Sequence, residues 1–183
     1  MNSFACMSPQ VVLSPAHAGK ITRQQEYRLL SEAQWEYAYR GGSKLSKLFS
    51  FGNDGEDFAE NGNVKVAAFA RKVNNNFGTP ISGDDSYVFT SPVGKFQANG
   101  FGLFDMHGNL WEWCEDVNDS KVYGSRNGVT NDPLVSSEGS IRVNRGGGWD
   151  FAPVNCRSAF RHWDSPVNRN LDLGFRVSLS LVQ

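Results

Sequence analysis

Apolar positions fall into a few short patterned blocks separated by long polar stretches. The sharpest block is Leu30-Ser31-Glu32-Ala33-Gln34-Trp35. The Ser31 hydroxyl can cap a helix, and Gln34, three residues on, can reach back to complete a capping box. Leu30 and Trp35 then occupy the two positions of a hydrophobic staple. Trp35, Ala38 and Tyr39 share one helical face, and Gly41-Gly42 offers a left-handed stop, so the pattern predicts a helix over 32–40. Near the other end, Leu173, Phe175, Val177, Leu179 and Leu181 alternate with polar residues, which predicts an antiparallel strand with one buried face. Ile141 and Val143 lead into Gly146-Gly147-Gly148, a strand entering a tight turn. Before residue 27 only Val11-Val12-Leu13, ahead of Pro15, suggests an edge strand. The chain thus reads as a weakly patterned segment over 1–26 and one domain over 27–183.

The polar stretches carry their own chemistry. Residues 50–100 are dominated by turn formers such as Gly52-Asn53-Asp54-Gly55, Asn61-Gly62-Asn63, Asn74-Asn75-Asn76 and Gly83-Asp84-Asp85. A loop this long inside a compact domain needs something to order it. Its oxygen-rich side chains can hold a hard cation such as Ca²⁺; solvated turns are the simpler alternative, and the spacing matches no EF-hand. Residues 118–140 read as a surface excursion. Between them, Gly100 to Trp113 is dense and aromatic. Leu110, Trp111 and Trp113 are core candidates, each contributing roughly 1.5–3 kcal/mol if fully buried. Glu112 lies between two tryptophans, where a carboxylate must be paired, hydrogen-bonded or bound to metal. His107 has no His or Cys at ligand spacing and reads as a packing histidine.

Composition narrows the class. With 183 residues, 19 glycines, 13 phenylalanines and 5 tryptophans, the chain suits one loop-rich domain with an aromatic core. A formal net charge of −1 with scattered Lys and Arg gives no footprint for nucleic acid or an anionic membrane. Cys6, Cys114 and Cys156 show no CxxC spacing; free thiols or one Cys114–Cys156 disulfide both remain open. No apolar run approaches the roughly 20 residues that span a bilayer, and 11–13 is too short for a signal-peptide core. The expectation is a chain without membrane insertion, cytoplasmic or exported by another route.

One stretch obeys no period. Gly146-Gly147-Gly148-Trp149 and Leu173-Gly174-Phe175-Arg176 frame Asp150, Phe151, Ala152, Val154, Asn155, Phe160, His162, Trp163, Asp164, Val167, Asn168, Asn170, Leu171 and Asp172. Mixed aromatic, acidic and amide side chains on a rigid frame are the composition of a recognition patch, with irregular core as the alternative. Arg157, Arg161, Arg169 and Arg176 recur there and are expected to pair with acidic groups or carbonyls that hold the loop.

Three blocks, taken together, resemble the formylglycine-generating enzyme (sulfatase-modifying factor) family. They are Tyr27 to Ala38, Gly100 to Trp113, and Arg145-Gly146-Gly147 with Cys156-Arg157-Ser158-Ala159 and Leu173-Gly174-Phe175-Arg176. The resemblance implies a C-type-lectin-like α+β fold: short helices, a small antiparallel sheet and much loop. It also implies structural calcium, one ion on Asp105, Gly108, Leu110 and Glu112, another on Asn63, Val64, Asp85 and Tyr87. Family oxidases place a pair of copper-binding cysteines shortly after the Gly-Gly turn, whereas here Trp149-Asp150-Phe151-Ala152-Pro153-Val154-Asn155 contains none. Cys156 alone cannot supply the converging thiolates of a soft-metal site, so neither copper nor oxidase activity is expected. An iron-dependent sulfoxide synthase would need a histidine cluster, and the chain has only His17, His107 and His162.

A second branch with this fold fits better: the variable proteins of diversity-generating retroelements. In these, adenines of AAC codons between Gly-Gly-x-Trp and Leu-Gly-Phe-Arg are randomised. Such codons cannot become Lys, Glu, Gln, Met or Trp, and from Asp150 to Asp172 there is no Lys, Glu, Gln or Met. Trp163 is the exception among the fourteen positions, a template-fixed residue or a change from another codon. The resemblance implies a non-enzymatic protein that binds a protein or surface ligand through a diversified face at about 149–172.

Overall fold

The computed structural model describes residues 25–54, 57–65, 85–136 and 139–181. The edge strand expected at 11–13 and the turns at 74–76 and 83–84 lie outside them. Strand β1 (Gln25–Leu29) leads to helix α1 (Glu32–Arg40), the single turn α2 (Phe58–Asn61) and strand β2 (Trp111–Val117). The short helix α3 (Val122–Ser125) and strand β3 (Arg142–Arg145) follow, then a 3-10 turn at Pro153–Cys156. Strands β4 (His162–Asp164), β5 (Leu173–Phe175) and β6 (Val177–Leu181) complete the chain.

Helix α1 begins and ends as its sequence requires. The Gln34 amide donates to the Ser31 hydroxyl at 3.2 Å, and the Ser31 amide donates to the Gln34 side-chain oxygen at 3.0 Å. Leu30 packs on the buried cluster of Trp35, Tyr39, Met106, Cys114 and Val143. Gly41 stops the helix at φ 58°, where an added Cβ would also come within 2.7 Å of the Gly100 amide nitrogen. A second cluster gathers Phe49, Phe58, Val64, Trp149 and Cys156. Trp111 joins the core at 2% exposure, whereas Leu110 and Trp113 are only half-buried.

Strands β1 and β6 pair antiparallel, with Leu29 opposite Val177. The other sheet runs β4-β3-β2-β5. In it, β2–β3 and β3–β4 are antiparallel but β2–β5 is parallel, so the small sheet is mixed rather than antiparallel throughout. The alternating run 173–181 is therefore two strands with different partners, not one. The break falls at Arg176, whose guanidinium is drawn onto Glu112 of β2, at 2.7 Å from Nη2 to Oε1. Beyond that anchor the chain leaves β2 and pairs with β1. Among the described residues, no helix is long and apolar enough to cross a membrane.

Candidate functional site

The frame is stitched to the aromatic block. Gly146 (φ 99°) and Gly147 (φ 85°) turn the chain in the left-handed region. A Cβ on Gly147 would sit 2.3 Å from the Cys156 sulfur, so the turn must be glycine for close packing as well. The Gly108 amide donates to Gly146 O at 2.8 Å, and the Trp149 amide to Asn109 O at 3.0 Å.

Two arginines clamp the segment to α1. Arg145 is fully buried; its Nη2 donates to Glu36 Oε2 and to Ser158 O, each at 2.7 Å, and its Nη1 donates to Phe160 O. Arg161 grips Glu32 with two bonds, Nε–Oε1 at 2.6 Å and Nη2–Oε2 at 2.8 Å. Arg157 donates to Val154 O, and Arg169 to the carbonyls of Pro166 and Asn168. These arginines hold the loop, as their recurrence suggested. The roles of Arg145, Glu32 and Glu36 were missed from sequence. A signal existed: Arg145 lies two residues after Val143, hence on the inward face of β3.

Not one of the fourteen framed positions is buried. Val154, Trp163, Val167, Asn168, Asn170 and Leu171 are exposed, and Asp150, Phe151, Ala152, Asn155, Phe160, His162, Asp164 and Asp172 are half-buried. Pro153, Cys156 and Ser158, interleaved with them, are buried. The floor is Trp111, whose ring meets His162 at 4.9 Å, Phe151 at 5.2 Å and Phe160 at 6.0 Å between centroids. His162 Nδ1 lies 3.0 Å from Asn144 Oδ1, and the Trp163 ring stacks nearly parallel on His162. Asp164 organises the next loop, accepting from the Ser165 amide at 3.0 Å, from Asn170 Nδ2 at 3.0 Å and from Asn168 Nδ2.

The face carries a carboxyl pair. A Cβ placed on Gly148 would lie 3.3 Å from Asp150 Oδ1, from Asp172 Cβ and from a ring carbon of Phe151, so these groups converge over one glycine. Burial and then the neighbouring Asp172 carboxylate push Asp150 up to about 6, against the pull of Lys65. Burial also raises Asp172.

Cys114 and Cys156 are free and buried, in separate core clusters, and desolvation pushes both thiols well up. Cys6 lies outside the described residues. Of the residues assigned to calcium by resemblance, Asn63, Val64, Asp85 and Tyr87 do converge. Asp85 accepts from the Val64 amide at 3.1 Å and the Tyr87 amide at 3.0 Å, while buried Asn63 Oδ1 has no partner. A buried carboxylate and, on the residue before Val64, an unsatisfied buried amide oxygen are donor types that suit a hard cation. In the other set, Asp105 Oδ2 accepts from the Gly94 amide at 2.8 Å, and Glu112 is held by Arg176 and by Trp35 Nε1. Gly108 and Leu110 lie on the loop between those two acids.

Residues 4–181 match the sulfatase-modifying factor enzyme 1-like domain family. The chain is 33% identical over 154 residues to the formylglycine-generating enzyme of Mus musculus, covering 82% of this chain and 38% of that protein. With the Streptomyces coelicolor enzyme it shares 31% over 173 residues, 93% of this chain and 52% of that one. The chain thus spans about half or less of the length of these relatives. Among solved structures, PvdO from Pseudomonas aeruginosa is similar at TM-score 0.66 and 33% identity, over 85% of this chain and 53% of that one. Treponema denticola variable protein 1 is similar at TM-score 0.60 and 29% identity, over 82% of this chain and 46% of that one.

Proposed function

The chain belongs to the sulfatase-modifying factor enzyme 1-like domain family, and from that premise we propose that it is a ligand- or receptor-binding protein whose recognition face, residues 150–172, is diversified by retroelement mutagenesis. The observation that carries this reading is the placement of the fourteen framed positions, none buried, among structural residues that are. Similarity to Treponema denticola variable protein 1 supports it. On this face Trp163, Val154, Val167 and Leu171 are exposed apolar anchors, and Asp150, Asp172 and His162 supply directional polar contacts. The partner is a protein or surface ligand. Calcium on Asn63, Val64, Asp85 and Tyr87 would tie the 63–65 and 85–87 loops together and so stiffen the support.

Family membership favours a second reading, an oxidase paralogue, probed by adding copper and a cysteine peptide under oxygen. That chemistry requires converging thiolates. The complete burial of Cys156 and the raised Cys114 supports the binding reading instead. Oxygen uptake coupled to loss of the peptide thiol would overturn the binding reading. Directly, a chain with Val154, Trp163, Val167 and Leu171 all changed to serine should still unfold cooperatively, the three aliphatic changes each shifting stability by less than about 0.5 kcal/mol. Loss of cooperative unfolding in that chain would mean these residues belong to the core.

A further inference from the structure

Resemblance places a calcium ion in the cradle of Asp105, Gly108, Leu110 and Glu112, and the geometry of this chain disagrees. Calcium takes about six to eight oxygens at roughly 2.3–2.6 Å, so each carboxylate in its shell must have lone pairs to give. Glu112 has three of its roughly four lone-pair sites engaged. Oε1 accepts from Arg176 Nη2 at 2.7 Å, and Oε2 accepts from Arg176 Nε at 2.9 Å and from Trp35 Nε1 at 2.7 Å. The same Nη2 donates to the backbone carbonyls of Phe104 at 3.0 Å and Asp105 at 3.3 Å. Asp105 Oδ2 is held by the Gly94 amide at 2.8 Å, which leaves Asp105 Oδ1 as the unpartnered carboxylate oxygen of the set.

One guanidinium therefore binds a carboxylate with two parallel bonds and gathers two carbonyls, with side chains only 11% and 12% exposed. Its planar fork of donors suits this arrangement, as a point-charge lysine would not. A divalent ion placed here would face a fixed positive charge and a Glu112 carboxylate with about one lone-pair site left to give.

We propose that the Arg176 guanidinium is the resident cation of this cradle, standing in for calcium, so that the scaffold beneath the recognition face is held here by the chain itself. The cradle lies where β5 gives way to β6, and the same contact pins that junction to β2. The inference is independent of the ligand-binding reading, since it concerns the support and not the face.

Calorimetric titration with Ca²⁺ of the chelator-stripped chain, as native, Glu112→Gln and Asp85→Asn forms, tests it, with circular dichroism to check folding. The native chain should bind at most one ion, Glu112→Gln the same number, and Asp85→Asn none. Two ions per native chain overturn the proposal, as does an ion kept by folded Asp85→Asn or one lost in folded Glu112→Gln. The two variants lie in different parts of the chain, so misfolding of one leaves the other to decide.

Discussion

His107 shows how far a single side chain can be read. Its isolation in sequence marked it as a packing residue, and it is 3% exposed against Tyr39, Phe49, Phe51 and Phe58. Burial lowers it from 6.5 to about 3, so it stays neutral in the fold while the unfolded chain takes up a proton below 6.5. Stability should fall as pH drops from about 6.5 towards 3, at about 1.4 kcal/mol per unit from this group. Urea unfolding at pH 7, 6 and 5 measures the slope, and His107→Phe should flatten it. Asp150 acts in the opposite sense. Its folded carboxyl, raised to about 6, disfavours the fold above that pH and is relieved as pH falls through it towards 3.8. Asp150→Asn should therefore stabilise the chain at pH 7 by on the order of 1 kcal/mol, after discounting for its partial exposure, and steepen the acid loss. A lower stability for Asp150→Asn at pH 7 would contradict this. The pairing that adds to burial in this shift was not legible, because Asp150 and Asp172 stand at opposite ends of the framed segment and converge over Gly148.

At the level of elements, legibility followed locality. Helix α1 was readable because its cap, staple and glycine stop all lie within a dozen residues. Ser31→Ala should cost about 1 kcal/mol in chemical denaturation, since it removes the hydroxyl that accepts from Gln34. Strands β5 and β6 were not separable by pattern, because apolar alternation runs unbroken through Arg176 and only the contact with Glu112, 64 residues away in sequence, divides them. The clamp between β3 and α1 depends on similar distances. Arg145→Met would leave Glu36 and the carbonyls of Ser158 and Phe160 short of a donor within a buried charge network. A loss of roughly 3–5 kcal/mol is expected. Faster amide exchange across 157–162 should accompany it, because Arg145 ties that stretch to the helix. A loss below about 1 kcal/mol would show that the clamp contributes little.

For the whole molecule, the two clusters of aromatic core, the mixed sheet and the glycine frame form a support over which the fourteen framed positions lie, none of them buried. Lack of a period left the framed positions open between surface and irregular core, and none is buried; the frame was legible in sequence, as was the α+β class through the resemblance its motifs carry. The arrangement of Trp111 as their floor was not, since it depends on β2 and β4 lying on either side of β3. The measurement that tests the central claim most directly is to sequence the DNA flanking the gene. A near-copy of the stretch coding for residues 146–176, differing almost only at adenines and adjacent to a reverse transcriptase gene, is the predicted result. A flank without such a copy would contradict diversification and leave a degenerate family paralogue as the better description.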